Sequence, residues 1–305
     1  MSNPTLIVIA GPTASGKTAT AIEVAKALNT VIINADSRQF YKEMSIGTAV
    51  PTPKELQEVK HYFVQHISIL DHYDVAAYEK DVMILLRKLF MVHDQVVLTG
   101  GSGLFIDAVC KGIDAMPDID KAVRQKVEQL YRDGGLTALQ QEVQRLDPEY
   151  WAIVDRKNPR RLQRALEVCY QTGKTFTSFR TSTSAKRDFD IVKYALLWDK
   201  QQLYNRINLR VEQMLSQGLV EEARKLYPYR KYNALNTVGY KELFEYFDGK
   251  TNLMEAIEQI KLNTRHYAKR QMTWLRRDQE YNWINPSIGE RITFPMVKPS
   301  AERHS

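Results

Sequence analysis

One stretch near the start of the chain, residues 7–18, places a glycine-rich loop between a predicted strand and a predicted helix. It reads I-V-I-A-G-P-T-A-S-G-K-T and contains the pattern G-x-x-x-x-G-K-T. The apolar run Thr5–Ala10 before the loop predicts a buried strand. Apolar residues at helical spacing follow the loop at Ala21, Val24, Ala25 and Leu28. Strand, loop and helix in this order are the context of a phosphate-binding P-loop.

The chemistry of this loop explains why it would hold phosphate. Gly11 and Gly16 can adopt backbone angles that turn successive N–H groups inward at a helix N-terminus. Lys17 adds a positive charge, and the Thr18 hydroxyl is the usual protein ligand of a phosphate-bound Mg²⁺. We therefore predict a phosphate site with Mg²⁺ on Thr18, formed by Gly11, Pro12, Thr13, Ala14, Ser15, Gly16, Lys17 and Thr18. The pattern does not identify the phosphate compound.

Two further predicted strands end in polar or glycine-rich segments. The run 31–35 ends at Asp36, and an acid at the end of a strand beside the P-loop strand faces the crevice in which α/β proteins bind ligands. The alternative is a capping or turn role. The strand 95–98 leads into T-G-G-S-G-L-F, where the Ser102 hydroxyl could reach a metal or a phosphate. ATPases and GTPases usually have an acid at such a strand end, and its absence here counts against those classes.

The middle of the chain has the pattern of a separate helical unit. Residues 113–190 show helical periodicity without strand signals, whereas Y-A-L-L-W at 194–198 predicts a fourth core strand. Residues 201–227 and 241–277 predict long helices. The predicted fold is α/β: a P-loop NTPase-like core with a parallel sheet, plus a helical insertion domain and C-terminal helices. The predicted boundaries are 1–112 with 189–285 for the core, 113–188 for the insertion and 286–305 for a tail whose tip is poorly ordered.

The formal net charge of +7 is concentrated in two stretches. Residues 156–187 contain nine Lys or Arg and one acid, Glu167. Residues 261–277 contain six and no acid, with Tyr267 and Trp274 on one predicted helix face. Basic stretches with aromatic side chains indicate a surface that binds a nucleic-acid backbone and stacks bases, although one such stretch alone is more often a solvated face.

The remaining composition bounds the location of the protein. The chain has no secretory signal and no apolar run of membrane-spanning length. Its two cysteines, Cys110 and Cys169, have no metal-ligand spacing. We predict a cytoplasmic monomer without a membrane partner.

Six segments together resemble the bacterial tRNA dimethylallyltransferase family. They are G-P-T-A-S-G-K-T, N-A-D-S-R-Q-F-Y, G-G-S-G-L-F, N-P-R-R-L-Q-R-A-L-E-V, T-V-G-Y-K-E-L and Y-A-K-R-Q-M-T-W-L-R, in this order from residue 5 to about residue 277. The resemblance implies transfer of a dimethylallyl group from dimethylallyl diphosphate to the exocyclic amine of the adenosine just 3′ of the anticodon, with release of diphosphate. The tRNA anticodon stem-loop and dimethylallyl diphosphate are then the partners. It also implies that the P-loop binds the diphosphate of the donor, which would explain the missing strand-end acid.

The resemblance assigns roles to individual residues. Asp36 is the implied general base and a contact of the target base. Ser102 stands where the family usually has Thr, and because the hydroxyl is retained it is carried over as a catalytic contact. The implied tRNA contacts are Asp36, Ser37, Arg38, Gln39, Ser102, Arg124, Arg160, Arg161, Leu162, Gln163 and Arg164.

Arg206 and Arg210 lie on one face of the predicted helix 201–227 and could close over the diphosphate. Two alternative classes remain open from the sequence. One is an enzyme of small molecules, either an adenylate isopentenyltransferase or a P-loop small-molecule kinase; the missing acid argues against the kinase and the basic stretches against a free nucleotide. The other is a non-catalytic RNA-binding module, against which Asp36 argues because an acid disfavours binding of a polyanion.

Overall fold

The structure, a computed structural model, describes residues 3–181 and 185–293. Within them the chain forms two compact units. The first takes in the residues up to 110 and from 187 onward, and the second takes in residues 111–186. The predicted tip of the tail, residues 294–305, lies outside the described part. No helix of the described residues is long and apolar enough to cross a membrane.

The first unit contains a six-stranded sheet in which the paired strands are parallel. Its strands are β1 (Thr5–Ala10), β2 (Ile32–Asn34), β3 (His61–Tyr62), β4 (Gln95–Gly100), β5 (Asp190–Leu196) and β6 (Tyr281–Ile284). Their order is β3-β2-β4-β1-β5-β6. The central strand β1 pairs on both sides, with Ile7 opposite Val97 of β4 and Val192 of β5. The predicted P-loop NTPase-like α/β class is confirmed.

Eight helices of the first unit accompany this sheet in the described residues. They are α1 (Lys17–Ala27), α2 (Pro53–Glu58), α3 (Val75–Leu89), α4 (Gly103–Lys111), α8 (Lys200–Ser216), α9 (Leu219–Leu226), α10 (Tyr240–Phe247) and α11 (Leu253–Leu275). The second unit contains α5 (Lys121–Leu146), α6 (Pro148–Ile153) and α7 (Pro159–Thr172).

The side chains of β1 alternate between two buried clusters, as the pleat of a strand requires. Leu6 and Val8 pack in the cluster that contains Tyr78 of α3. Ile7 and Ile9 pack in the cluster that contains Val24 of α1. Because both faces are covered by helices, the strand reads as the continuous apolar run seen in the sequence.

Several predicted elements have different bounds in the structure. Each of the two long predicted helices, 201–227 and 241–277, is divided in two. The first break lies at Gly218 (φ 100°) and the second contains Gly249 (φ 73°), and both residues adopt left-handed backbone conformations that end a helix. The strand predicted at 194–198 is β5, which begins four residues earlier at Asp190 and ends at Leu196.

The second unit has its own apolar core, formed where α5 packs against α7. Its buried acid, Asp147, accepts hydrogen bonds from the backbone N–H groups of Tyr150 (3.0 Å) and Thr177 (2.7 Å) and from the Thr177 hydroxyl (2.8 Å). These bonds satisfy the carboxylate and tie the start of α6 to the segment after α7.

Candidate active site

A cavity of about 720 Å³ opens in the first unit beside the P-loop and the segment that follows β2. The P-loop, α8 and α11 contribute to its wall, together with residues 45–53 and 237–239. Its charged lining includes Lys17, Asp36 and Arg210. The cavity therefore lies at the ends of β1 and β2, where the sequence predicted the P-loop and Asp36.

The P-loop wraps around the N-terminus of α1. Ala14 (φ 62°) and Gly16 (φ 91°) adopt left-handed backbone conformations that form the turn, and Gly16 has no side chain to cap the first N–H groups of α1. Those N–H groups therefore remain for an anion. Of the predicted phosphate-site residues, five line the cavity: Thr13, Ala14, Gly16, Lys17 and Thr18. Gly11, Pro12 and Ser15 are buried behind them.

Gly11 is required by close packing inside the loop. A Cβ at this position would lie 2.6 Å from Ser15 Oγ and 3.3 Å from Leu196 Cβ. The first distance is shorter than a van der Waals contact, so a larger residue would displace the turn that presents Lys17.

Two side chains from outside the P-loop hold its carbonyl groups. Trp198 Nε1 donates to Ser15 O (2.8 Å), and Arg206 Nε donates to Ala14 O (2.7 Å). The Arg206 guanidinium also stacks on the Trp198 ring, 4.1 Å from its centroid. Arg206 is thus fixed against the P-loop, and its closure over the diphosphate stays a prediction. Trp198 is a support that the sequence did not single out.

The cations of the site are buried close to one another. The pKa of Lys17 is lowered to about 8, mainly by burial and to a smaller extent by Arg210, although the Asp36 carboxylate opposes both effects. Burial also lowers the pKa of Arg210, again against the charge of Asp36. Since both cations are desolvated, a diphosphate would find positive charge that water screens only weakly.

Asp36 is oriented by the turn that follows β2. Its backbone N–H donates to Asn34 Oδ1 (3.1 Å), and its Oδ1 accepts from the Arg38 N–H (3.3 Å). Its Oδ2 lies 3.4 Å, and Lys17 Nζ 3.5 Å, from the position that a Cβ of Gly101 would occupy. The carboxylate therefore serves the turn with one oxygen and faces the cavity and Lys17 with the other.

Ser102 lies between the segment after β2 and α11. Its hydroxyl accepts from the Ser37 N–H (3.1 Å) and shares a hydrogen bond with the Ser37 hydroxyl (3.1 Å). It also interacts with Tyr267. The hydroxyl thus supports the turn that carries Asp36, and its contact with a metal or phosphate stays a prediction.

The two aromatic residues noted on α11 have different environments. Tyr267 lines the cavity, and its pKa is raised by burial and by the nearby Asp36 carboxylate. Trp274 packs against Gly103, where an added Cβ would lie 2.3 Å from its ring, and its Nε1 donates to Asp107 Oδ2 (2.8 Å). Tyr267 is therefore available to a bound base, whereas Trp274 holds the start of α4.

Two of the implied tRNA contacts also hold the walls of the cavity. Arg38 NH1 donates to the carbonyls of Asn233 and Ala234, both at 3.0 Å. Gln39 Nε2 donates to the carbonyls of Thr48 (3.1 Å) and Ala49 (2.8 Å). Their contacts with tRNA stay predictions.

The implied tRNA contacts of the second unit lie on α5 and at the start of α7. Arg124, Arg160 and Arg161 are exposed, and Gln163 is half-buried. Arg164 is partly exposed and approaches Glu167 at 3.5 Å. Leu162 has no exposed area and packs in the core of this unit, so an RNA contact of its side chain is excluded. It was carried over with its neighbours, although helical periodicity already places it on the opposite face from Arg160 and Arg164.

Three features of the site carried no individual signal in the sequence. Gln271 contacts the P-loop and the segment after β4. Glu222 accepts hydrogen bonds from the N–H groups of residues 45–47, which line the cavity. Glu242 accepts from the Gly239 N–H (2.8 Å) and holds residues 237–239. Gln271 and Glu242 lie within two of the family-like segments, which could have pointed to them, whereas Glu222 lies in none of these segments.

The donor groups around the P-loop fit a Mg²⁺ that is held mainly by substrate phosphates. The described residues contain no group of three or more His, Cys, Asp or Glu side chains that could hold a metal. Thr18 does line the cavity beside Lys17. Mg²⁺ commonly keeps several waters and binds through substrate phosphates with few protein ligands, so the residues fit a Mg²⁺ that arrives with a diphosphate.

The sequence model of the family described as IPP transferase matches residues 39–278. The tRNA dimethylallyltransferase 1 of Bacteroides fragilis is 51% identical over 292 residues, which cover 96% of this chain and 97% of the relative. The chain belongs to the IPP transferase family. The tRNA dimethylallyltransferase of Christiangramia forsetii is 52% identical over 293 residues, or 96% of this chain and 97% of that one.

Solved structures of family members have the same fold. The tRNA isopentenylpyrophosphate transferase of Bacillus halodurans superposes with a TM-score of 0.67 at 34% identity, covering 92% of this chain and 90% of that chain. A eukaryotic dimethylallyltransferase acting on tRNA gives a TM-score of 0.76 at 24% identity and supports the fold alone, covering 92% and 73% of the two chains. Membership of the IPP transferase family confirms the resemblance and sets aside the kinase and the non-catalytic RNA-binding module.

Proposed function

We propose that this protein transfers a dimethylallyl group from dimethylallyl diphosphate to the exocyclic amine of the adenosine 3′-adjacent to the anticodon of tRNA. The observation that carries the proposal is that Asp36 and Lys17 face each other across Gly101 in one cavity. A base for the acceptor and a cation for the leaving group thus line the same cavity. Cytoplasmic location and the monomeric state stay predictions.

The donor end of the cavity suits a diphosphate leaving group. The N–H groups at the start of α1, Lys17 and Arg210 direct positive potential into the same space. As the bond between C1 of the dimethylallyl group and oxygen breaks, its electron pair stays on the diphosphate, and these groups stabilise the charge that develops there. A Mg²⁺ held by Thr18 and the diphosphate oxygens would supply further positive charge.

The acceptor end of the cavity suits an adenine amine. The amine nitrogen forms the new bond to C1, and the proton that it loses passes to the free Oδ2 of Asp36. Tyr267 lies beside this carboxylate and offers an aromatic surface to the base. The base must leave the anticodon-loop stack to reach the cavity, and the exposed arginines of the second unit would hold the RNA backbone meanwhile.

The proposal is tested by mass spectrometry of nucleosides from an anticodon stem-loop incubated with the protein, dimethylallyl diphosphate and Mg²⁺, without any nucleoside triphosphate. We expect prenylated adenosine from the stem-loop. AMP in place of the stem-loop tests the adenylate isopentenyltransferase alternative, and equal prenylation of AMP would contradict the proposal. Product that forms only with ATP would contradict it as well.

Asp36→Asn tests the role of the base in the same assay. The Asn Oδ1 can still accept from the Arg38 N–H, so the turn should persist while the proton acceptor is lost. We expect turnover to fall by a factor of about 10² to 10⁴, with little change in stem-loop affinity. A variant that retains wild-type turnover would remove Asp36 from this role.

A further inference from the structure

Gln271 of α11 connects the two loops that carry the reacting groups. Its Oε1 accepts from the backbone N–H of Thr13 in the P-loop (2.8 Å), and its Nε2 donates to the Gly101 carbonyl after β4 (2.7 Å). The residue is only 7% exposed. Its two partners are far apart in sequence, but Thr13 lines the cavity and Gly101 lies beside Asp36 and Lys17, which also line it.

The side-chain amide of Gln271 makes both contacts because it carries an acceptor and a donor at its end. The Thr13 N–H requires an acceptor and the Gly101 carbonyl requires a donor, so the two contacts fix the orientation of the amide. A carboxylate has no donor for Gly101, and an apolar side chain of similar length has neither group. The chemistry of the bridge is therefore more specific than packing alone requires.

The bridge, by which we mean the Gln271 side chain with its hydrogen bonds to Thr13 and Gly101, lies close to Asp36 and Lys17. A Cβ added to Gly101 would meet Gln271 Nε2 at 2.3 Å, Asp36 Oδ2 at 3.4 Å and Lys17 Nζ at 3.5 Å. One backbone position therefore lies close to the base, the P-loop cation and the amide. Because Ser102 in this segment accepts a hydrogen bond from the Ser37 N–H, movement of the segment relative to the P-loop would also move the turn that carries Asp36 relative to Lys17.

The helix that carries the bridge is anchored on both sides of Gln271. One turn earlier, Tyr267 interacts with Ser102, and three residues later Trp274 packs against Gly103 and donates to Asp107. The side chains at 267, 271 and 274 share one helix face because they follow the i, i+4, i+7 spacing. This face of α11 therefore fixes the position of residues 101–103.

We propose that Gln271 is a positioning residue that sets the distance between the donor site in the P-loop and the acceptor site at Asp36. This role rests on the proposed function, because it concerns the approach of the amine to C1 of the donor. Gln271 is not among the residues that line the cavity, and its two hydrogen bonds go to backbone groups, so its loss should slow the chemical step and leave the affinity for each reactant nearly unchanged.

The test compares Gln271→Met and Gln271→Glu with Gln259→Met, a matched control at an exposed position of the same helix. Single-turnover prenylation of the stem-loop is measured at saturating donor, and binding of pyrophosphate with Mg²⁺ and of the stem-loop is measured separately. We expect both Gln271 variants to react about tenfold to a hundredfold more slowly, since small misplacements of reacting groups have effects of this size. Affinities for pyrophosphate and the stem-loop should stay within about threefold of wild type, and Gln259→Met should match wild type throughout.

The experiment separates failure of the positioning role from failure of the proposed function. If either folded Gln271 variant reacts at the wild-type rate, or if rate and both affinities fall together, the positioning role is overturned. The isosteric Gln271→Glu keeps the acceptor for Thr13 and provides the folded comparison if the Met variant does not fold. If the wild type itself prenylates no stem-loop, the proposed function fails and the role of Gln271 fails with it.

Discussion

At the scale of single residues, the pKa of Lys17 gives the site a testable pH dependence. Burial lowers this pKa to about 8, so the ammonium is charged below that pH and is lost as the pH rises through it. We expect kcat/KM for dimethylallyl diphosphate to decline above about pH 8, because kcat/KM reports the free enzyme. The decline should be weaker in kcat, since a bound diphosphate stabilises the charged form. A profile of kcat/KM that stays flat to about pH 9.5 would contradict this assignment.

Pyrophosphate binding by the Asp36→Asn variant is the control for this profile. The Asp36 carboxylate raises the pKa of Lys17, so its removal should shift the decline in pyrophosphate affinity to lower pH. Binding of pyrophosphate is measured because it does not require the base. An unshifted or upward-shifted profile would show that Asp36 does not act on Lys17.

The residues of the site were predictable to different extents. The P-loop and Asp36 were accessible from sequence because each occupies a fixed place relative to a strand. Gln271 was not, because its role depends on two backbone groups from distant segments. Leu162 was wrongly predicted to contact tRNA, because the motif that contains it also contains exposed residues.

At the scale of elements, Glu222 of α9 organises one wall of the cavity. Its carboxylate accepts from the N–H groups of Ser45 (3.0 Å), Ile46 (2.8 Å) and Gly47 (2.9 Å) and from the Tyr240 hydroxyl (2.6 Å). We expect Glu222→Ala to lower the free energy of unfolding by about 1–3 kcal/mol, because these donors lose their acceptor. The donor KM should also rise, since residues 45–47 line the cavity. Chemical denaturation and steady-state kinetics measure the two effects.

The neighbouring Glu221→Ala serves as the matched control, because Glu221 is exposed on the same helix. It should leave both the free energy of unfolding and the donor KM nearly unchanged. Equal effects of the two substitutions would mean that charge on α9, and not the acceptor for residues 45–47, determines the stability of this wall.

The elements themselves were predictable where a local pattern defines them. The strands β1 and β4 are long apolar runs, and α1 follows a glycine loop, so local sequence was sufficient. The strands β3 and β6 have two and four residues and partly polar composition, and they form through pairing with β2 and β5. Such edge strands depend on tertiary context, and β6 was not predicted.

At the scale of the whole molecule, the charges of the second unit provide the test of RNA as the acceptor. An anticodon stem-loop offers a row of phosphates, and exposed cations that neutralise them release counterions. Wild-type binding should therefore weaken steeply with salt, with a log–log slope of several units. Replacement of Arg160, Arg161 and Arg164 by Ala should reduce the magnitude of that slope by about 2 units and raise the tRNA KM. Leu162 between them is retained because it fills the core.

The control for this variant removes three exposed cations from α3: Lys80, Arg87 and Lys88. It lowers the net charge of the chain equally, so it separates a local RNA contact from the general attraction of a basic protein. The salt slope of the α3 variant should stay near that of wild type. Affinity for pyrophosphate should be unchanged in both variants, because their substitutions lie outside the P-loop cavity. If the two triple variants lose the same slope, the arginines at the start of α7 do not form a specific tRNA contact, and the net charge of the protein accounts for the binding.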